Sequence, residues 1–425
     1  MDTLLNNCKL ASKELLMLSN SDRNNLLLNI SNALKDENNI KEILKANELD
    51  VNNANSNGIS KVMVDRLSLN KDKLISISNS VLDVMKLPNY IGEVIEEWKT
   101  ETGLNIKKVR VPFGVIATVF ESRPNVAVDI SVLALKTANA CVLKGGKEAI
   151  NTNMALVKVM KNAIKDIVNP NVITLIETTD RSATDLLIRK KEYIDLLIPR
   201  GSKRLINYIV ENAKVPYIET GAGNCSLYIH KDCDLDKAIK VAINAKIQRP
   251  SVCNAIENIV VDEDIENEFL PKLSDAFNGN NMFNKVIEIR ADEKALRYIK
   301  GSLATEDDYY TEYNDYIVAI KTVKDIDEAI SFINLHSTKH SESIITENEA
   351  AKLKFEQEID SACVYHNAST RFTDGGEFGF GAEIGISTTK LHARGPMGLR
   401  EITTYKYIIE GKNGEIRKWV TNLVF

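Results

Sequence analysis

Residues 115–146 read VIATVFESRPNVAVDISVLALKTANACVLKGG, and this stretch decides the fold. Val115–Phe120 is an apolar run of the length of a strand buried on both faces. A break at Arg123-Pro124 leads into helical spacing from about Val126 to Ala138, and Cys141–Leu143 is a second short strand. The alternation then continues. The pattern predicts helices over Ala149–Ile167 and Ala183–Lys190, strands over Val172–Ile176 and Ile194–Ile198, and a strand opening at Tyr217–Ile218. Between the last two lies Ser202–Ala213, with Leu205, Ile206, Ile209, Val210 and Ala213 on one stripe. Strand and helix in alternation imply an α/β fold with a parallel sheet covered on both faces, whose ligands bind beyond the carboxyl ends of the strands.

Upstream, residues 1–86 read as helices with polar breaks. Asp22 and Asp72 are candidate caps, and the Asn-rich stretch Asn52–Gly58 is a candidate turn. Residues 94–114 pattern as a two-stranded ribbon around Gly103, too small to bury both faces alone, which suggests an assembly arm. Downstream a second α/β stretch begins near Ser226. Helices are expected at Leu235–Ile247, Glu266–Ala276 and Ile326–Leu335, and strands at Ile259–Val261, Val286–Ile289 and Ile317–Ile320. The final segment, Thr403–Ile409 and then Glu415–Val424, resembles another exposed ribbon.

With 44% hydrophobic residues in 425, the chain can build large cores without disulfide staples. Lys and Arg number 54 against 59 Asp and Glu, a net charge of −5, which argues against a protein that grips nucleic acid. The six cysteines (8, 141, 225, 233, 253 and 363) form no CxxC pair, and only His336 and His340 stand four apart, so no metal site is expected. Dispersed cysteines suit a reducing, cytoplasmic setting. No leader-like opening and no apolar run near the roughly 20 residues of a membrane span are present, so no membrane association is expected.

Three strand-ending turns carry groups suited to ligands. In the first, Asn125 stands at a helix start, where it is ordinarily a cap, although an amide there can also donate to an oxyanion. The second, Lys144-Gly145-Gly146-Lys147, puts glycines and a helix start where an anion can approach, without P-loop spacing. The third is Pro199-Arg200-Gly201-Ser202; Gly221-Ala222-Gly223 is a further turn without a full GxGxxG. Cys253 stands apart from the other cysteines. Pro250 stops the preceding helix, and Lys246 and Arg249 are upstream cations expected to lower the thiol pKa from ~8.5. His366 to Gly381 combines donors, acceptors, several glycines and the Arg371 guanidinium, a composition suited to a substrate-holding loop.

The strings Arg110–Ile116, Glu121–Val126, Leu143–Ala149, Asn244–Asn254, Asn367–Gly376 and Lys390–Glu401 together resemble the γ-glutamyl phosphate reductase family of the aldehyde dehydrogenase superfamily. The resemblance covers nearly the whole chain and is weakest over the first 90 residues. It implies an aldehyde-dehydrogenase-like fold of two α/β domains plus a small β-ribbon oligomerisation element. Residues 1–93 and 115–226 would bind the dinucleotide, 227–397 would be catalytic, and 94–114 and 398–425 would form the ribbon.

The resemblance also implies roles. Cys253 matches the nucleophile, and Asn125 the oxyanion donor that acts with the Cys253 N–H. Lys144 matches the lysine on the cofactor's ribose. Lys147 stands where NAD-using relatives often carry Glu, which suits the extra phosphate of NADP. Arg200, Gly201 and Ser202 fall beside the cofactor, and Glu312 matches the glutamate on the nicotinamide ribose. The loop with Asn367, Ser369, Thr370 and Arg371 would hold the glutamyl part, with Arg123 and Arg249 as further cations and Asp374 or Glu377 for the ammonium. Glu219 falls where hydrolytic relatives keep a general base and is left outside the catalytic set, since activating water would waste a thioester.

The expected reaction is NADPH-dependent reduction of L-glutamyl 5-phosphate to L-glutamate 5-semialdehyde through a cysteine thioester, by a homo-oligomer (dimer or tetramer) associated with a glutamate 5-kinase. Two rivals remain: a general aldehyde dehydrogenase, and a catalytically silent assembly protein of the same fold.

Overall fold

Buried apolar runs build the two sheets that organise the chain. The computed structural model describes every residue except Ser60, Ser122 and 418–425, and describes Lys61, Val62 and Lys203 by backbone alone. The expected ribbon over 418–424 lies outside the described residues. The chain divides into two compact units: Met1–Leu197 with Ala213–Pro216 and the chain from Leu399, and Ile198–Asn212 with Tyr217–Gly398.

In the first unit, a four-stranded sheet runs in the order Ile173–Leu175, Ala140–Gly145, Val115–Phe120, Leu196–Arg200. Val115 pairs with Ala140 and Phe120 with Gly145 in parallel register, and every residue of these two strands is buried. Helix Asn125–Lys136 is also buried over nearly its whole surface, which explains its weak amphipathic signal. Helix Ile150–Ile164 begins after a short 3-10 turn at Lys147–Ala149, later than the sequence predicts. No named strand forms at Tyr217–Ile218.

Local chemistry shifts three expected boundaries. Ser19, not Asp22, caps helix Asn20–Lys35; Asp22 returns the bond from the third position of a capping box. Asn70, not Asp72, caps Lys71–Lys86. The Asn-rich stretch is helical as far as Ser56 in Glu37–Ser56, because buried Asp50 and Ala54 hold that face inside.

The two expected ribbons join. Val94–Lys99, Asn105–Pro112 and Thr403–Glu410 form one three-stranded antiparallel sheet, with Gly103 at φ +90° in the first turn. Trp98 lies edge-on to Tyr407, Lys108 sits over the Tyr405 ring, and Trp98, Tyr405, Tyr407 and Ile409 remain exposed.

The second unit holds a seven-stranded sheet ordered Ser302–Leu303, Glu288–Ala291, Ile317–Val323, Ile256–Asp262, Cys225–Ile229, Ser341–Ile345, Cys363–His366, all in parallel pairs. Helices Leu235–Ile247 and Glu266–Phe277 cover one core of Leu227, Ile259, Phe269, Leu273 and Phe277. Helices Ile326–His336 and Glu349–Glu358 bury Phe355 and Ile333 against Tyr228 and Ile344. Two of the strands, Cys225–Ile229 and Ser341–Ile345, escape sequence reading because they carry buried polar residues, Ser226, Ser341, Glu342 and Ser343.

Candidate active site

The expected carboxyl-end location holds for the turns of the first sheet. Lys144 ends strand Ala140–Gly145; it is buried, its Nζ donates to the Gly145 carbonyl at 3.0 Å, and burial lowers its pKa against the pull of Glu148 and Asp180. Lys147 is exposed on the following turn. Gly145 is small for an internal reason, since a Cβ there would meet Asn153 Nδ2 at 2.3 Å and the Phe120 ring at 3.3 Å. Asn125 is the first residue of its helix rather than its cap, and its amide donates to Asp129 at 2.8 Å. Arg123 is exposed nearby in sequence.

In the second unit, Cys253 lies in the connection between helix Leu235–Ile247 and strand Ile256–Asp262, so it sits at the amino ends of the sheet. Several other segments gather at the same ends. The stretch Glu219–Asn224 precedes strand Cys225–Ile229, and Glu312 precedes Ile317–Val323. The chain after Cys363–His366 doubles back: Ser343 donates to the Ala368 carbonyl, and Thr373 reaches Ser341 at 2.6 Å.

Gly223 makes the closest approach. A Cβ on it would lie 1.5 Å from the Cys253 carbonyl oxygen, so only glycine lets the two backbones touch. Glu312 holds that turn, its Oε1 accepting from the Gly223 N–H at 2.8 Å. Asn254 is tied to the returning loop: its amide donates to the carbonyls of Arg371 (3.3 Å) and Thr373 (2.8 Å), and Thr370 Oγ1 donates to the Asn254 carbonyl at 2.7 Å.

The electrostatics overturn one expectation. Lys246 is fully buried and paired with Glu257 at 2.5 Å, so it does not serve the thiol. Burial pushes Glu257 up and Lys246 down, and their contact opposes both shifts. The Cys253 thiol is raised to about 11, chiefly by burial, with Arg200 pulling it down and Glu383 and Glu312 pushing it further up. A helix C-terminus precedes the cysteine, the end of the dipole that disfavours a thiolate. Cys253 nevertheless keeps partial access to solvent.

Arg371 feels both Arg249 and the Cys253 thiol. Arg371 Nε–H donates to Gln248 at 3.1 Å, and its pKa is lowered by burial and by Arg249. Other loop residues spend their groups inside the fold. Asn367, at φ +52°, pairs its amide with both backbone groups of Thr346, and Ser369 Oγ accepts from the Arg371 N–H. Asp374 caps its own turn at the Gly376 N–H.

Arg200 packs against Gly385, where a Cβ would meet its guanidinium at 2.6 Å. Gly201 and Ser202 are exposed. Sequence reasoning missed Glu383, whose carboxylate accepts from the Gly375 N–H at 2.8 Å and is raised by burial; it falls just past the glycine stretch. Glu219 lines a cavity of about 200 Å³ with Asn207, Gly221, Thr338 and Thr388. Among the described residues, no group of His, Cys, Asp and Glu side chains could hold a metal, and no helix is long and apolar enough to cross a membrane.

A partly accessible cysteine clamped by a glycine turn, with arginines beside it, agrees with the comparisons to known proteins. The family model "Aldehyde dehydrogenase family" matches residues 2–288. The gamma-glutamyl phosphate reductase of Ligilactobacillus salivarius is 48% identical over 96% of this chain and 97% of its own. That of Dictyoglomus thermophilum is 48% identical over 98% and 100%. The crystal structure of the Thermotoga maritima gamma-glutamyl phosphate reductase superposes with a TM-score of 0.94 at 45% identity, covering 98% of this chain and 99% of that one. The chain belongs to the aldehyde dehydrogenase family and, within it, to the gamma-glutamyl phosphate reductases. It is an enzyme, an oxidoreductase.

Proposed function

We propose that the protein reduces L-glutamyl 5-phosphate to L-glutamate 5-semialdehyde and phosphate, with NADPH as cofactor and an acyl thioester on Cys253. The observation that carries this reading is the Cys253 thiol, partly open to solvent, with Arg200 and Arg371 in electrostatic reach of it and Arg249 in reach of Arg371. An acyl phosphate brings negative charge to that thiol, and guanidinium groups suit both its phosphate and the substrate carboxylate.

Cys253 attacks the acyl carbonyl as the thiolate, the C–O bond to phosphate breaks, and the thioester remains. Arg200 is the cation that most lowers the Cys253 thiol, which stands at about 11 with that cation in place. Asn125 and the Cys253 N–H steady the oxygen that becomes negative, a contribution of roughly 3–4 kcal/mol for one such donor. Lys144, buried at a strand end, and the exposed Lys147 on the next turn fit the anionic, ribose-bearing part of a dinucleotide, with Arg200, Gly201, Ser202 and Glu312 toward its nicotinamide end. Bound there, NADPH supplies the hydride that reduces the thioester. Release of the aldehyde returns the Cys253 thiolate.

The three-stranded sheet is the proposed assembly arm, its exposed Trp98, Tyr405, Tyr407 and Ile409 meeting other copies of the chain. A cytoplasmic setting keeps the six free thiols reduced. Association with the glutamate kinase that makes the labile acyl phosphate completes the reading.

The test is oxidation of glutamate 5-semialdehyde with NADP⁺, with and without phosphate. Dependence on phosphate is expected; equal rates without it would mean a hydrolytic aldehyde dehydrogenase. Cys253→Ser should bind NADPH and not turn over.

A further inference from the structure

The nucleophile reading leaves a fully buried group directly behind Cys253 without a task. Cys225, the first residue of its strand, has no solvent exposure, and its Sγ lies 3.2 Å from the Cys253 carbonyl oxygen and 3.7 Å from His340 Nδ1. His340 Nδ1 is 2.9 Å from Ser341 Oγ, Ser341 Oγ is 2.6 Å from Thr373 Oγ1, and Thr373 Oγ1 is 2.7 Å from the Tyr365 hydroxyl. The Thr373 carbonyl accepts from the Asn254 amide, so the chain of contacts returns to the residue after the nucleophile and closes a ring.

The proton directions follow from one unpartnered atom. His340 Nε2 is buried with no partner among the described residues. A buried N–H left unpaired is rarer in proteins than a buried bare acceptor, so the proton belongs on Nδ1, which donates to Ser341. Burial holds the imidazole neutral, with its pKa lowered to about 4. The His340 Nδ1 is then no acceptor for Cys225. Burial also keeps the Cys225 thiol protonated, which leaves its S–H to the Cys253 carbonyl. Gly223 presses on the same carbonyl from two residues away, and Asn224 between them is anchored to the carbonyls of Tyr309 (2.7 Å) and His336 (2.8 Å).

We infer that Cys225 is a positioning residue for the reaction: its thiol holds the Cys253 carbonyl and so fixes the direction in which the nucleophile's side chain points, within a ring of contacts that is hydrogen-bonded from His340 through Ser341 and Thr373 to Asn254 and meets Cys225 by packing alone. This rests on Cys253 being the nucleophile. It is distinct from a filling role, which any apolar side chain of similar volume would perform.

The experiment compares wild type, Cys225→Ala and Cys225→Ser by steady-state kinetics and by the rate at which iodoacetamide labels Cys253, read by peptide mass spectrometry, with folding checked by circular dichroism. In the wild type, loss of activity should track labelling of Cys253; if it does not, the nucleophile reading itself fails. Given that tracking, Cys225→Ala should lower kcat by about five-fold, the effect of one lost hydrogen bond, and change Cys253 labelling by a similar factor, with KM for NADPH unmoved. Cys225→Ser keeps a donor and should recover both to within about two-fold. The inference is overturned if Cys225→Ala matches wild type in kcat and labelling, or if Cys225→Ser is as impaired as Cys225→Ala. Should Cys225→Ala not fold, Thr373→Val breaks the ring at Ser341 with little change of shape. A loss of the same sign supports the ring, and wild-type values overturn it.

Discussion

Replacing Gly223 by alanine tests how tightly Cys253, the proposed nucleophile, is placed. The added Cβ would lie 1.5 Å from the Cys253 carbonyl oxygen and 2.6 Å from its Cα, whereas real Cβ contacts stay beyond 3.0 Å. The backbones must therefore part by roughly 1.5 Å, and no side chain can swing aside to relieve it. A displacement of about 1 Å at a reacting group can cost 10²-fold, so kcat should fall by at least about that factor. Gly221→Ala in the same turn is the control: its Cβ would meet the Thr388 hydroxyl at 2.6 Å, and that side chain can rotate away. NADPH oxidation with L-glutamyl 5-phosphate, alongside labelling of Cys253, reads both variants. Gly223→Ala with kcat within three-fold of wild type, or Gly221→Ala as damaged as Gly223→Ala, would refute the reasoning.

Lys147→Glu should shift the NADPH to NADH preference by roughly 10–100-fold, the range for a hydrogen bond to a charged group; an unchanged ratio of kcat/KM values would mean that other residues read the extra phosphate. Lys246→Met leaves Glu257 buried without its cation and should destabilise the protein by about 3–5 kcal/mol. Glu257 already sits near 7, above its ordinary 4.5, and losing the lysine raises it further. The wild type shares the extra folded-state proton up to about pH 7 and the variant keeps it beyond, so the deficit grows as pH rises from about 7 to 9. Urea melts giving one deficit at both ends of that window would contradict this. Arg200→Gln removes the cation that lowers the Cys253 thiol, so the pH profile of Cys253 labelling should move to higher pH than in the wild type; a profile that stays or falls would assign the cationic help elsewhere.

What the sequence disclosed, and what it hid, follow from chemistry. Val115–Phe120 and Ala140–Gly145 are legible because parallel strands covered on both faces must be apolar. Ser341–Ile345 is not, because Glu342 is buried there and satisfied by the nearby Ser337 hydroxyl and by the Ser226 N–H and the Ser361 hydroxyl, which lie farther off in sequence. Cys253 could be singled out from Pro250 and its neighbours. Its electrostatic partners could not: Lys246, seven residues away, turns inward to Glu257, while Arg200, fifty-three residues away, influences the thiol. The turns at Asn125 and Lys144 follow strands of the first sheet, whereas Cys253 precedes a strand of the second, where Gly223 and Asn254 brace it.

The bracing by Asn254 carries a consequence for any effort to retarget the enzyme. Thr370, Arg371 and Thr373 are wired to the residue adjoining Cys253, so the proposed recognition loop and the segment of the proposed nucleophile form one mechanical part. Grafting a foreign loop between residues 366 and 373 to admit another acyl group would disturb the sulfur's seat as well as its clientele, unless residue 254 and its partners travel with the graft.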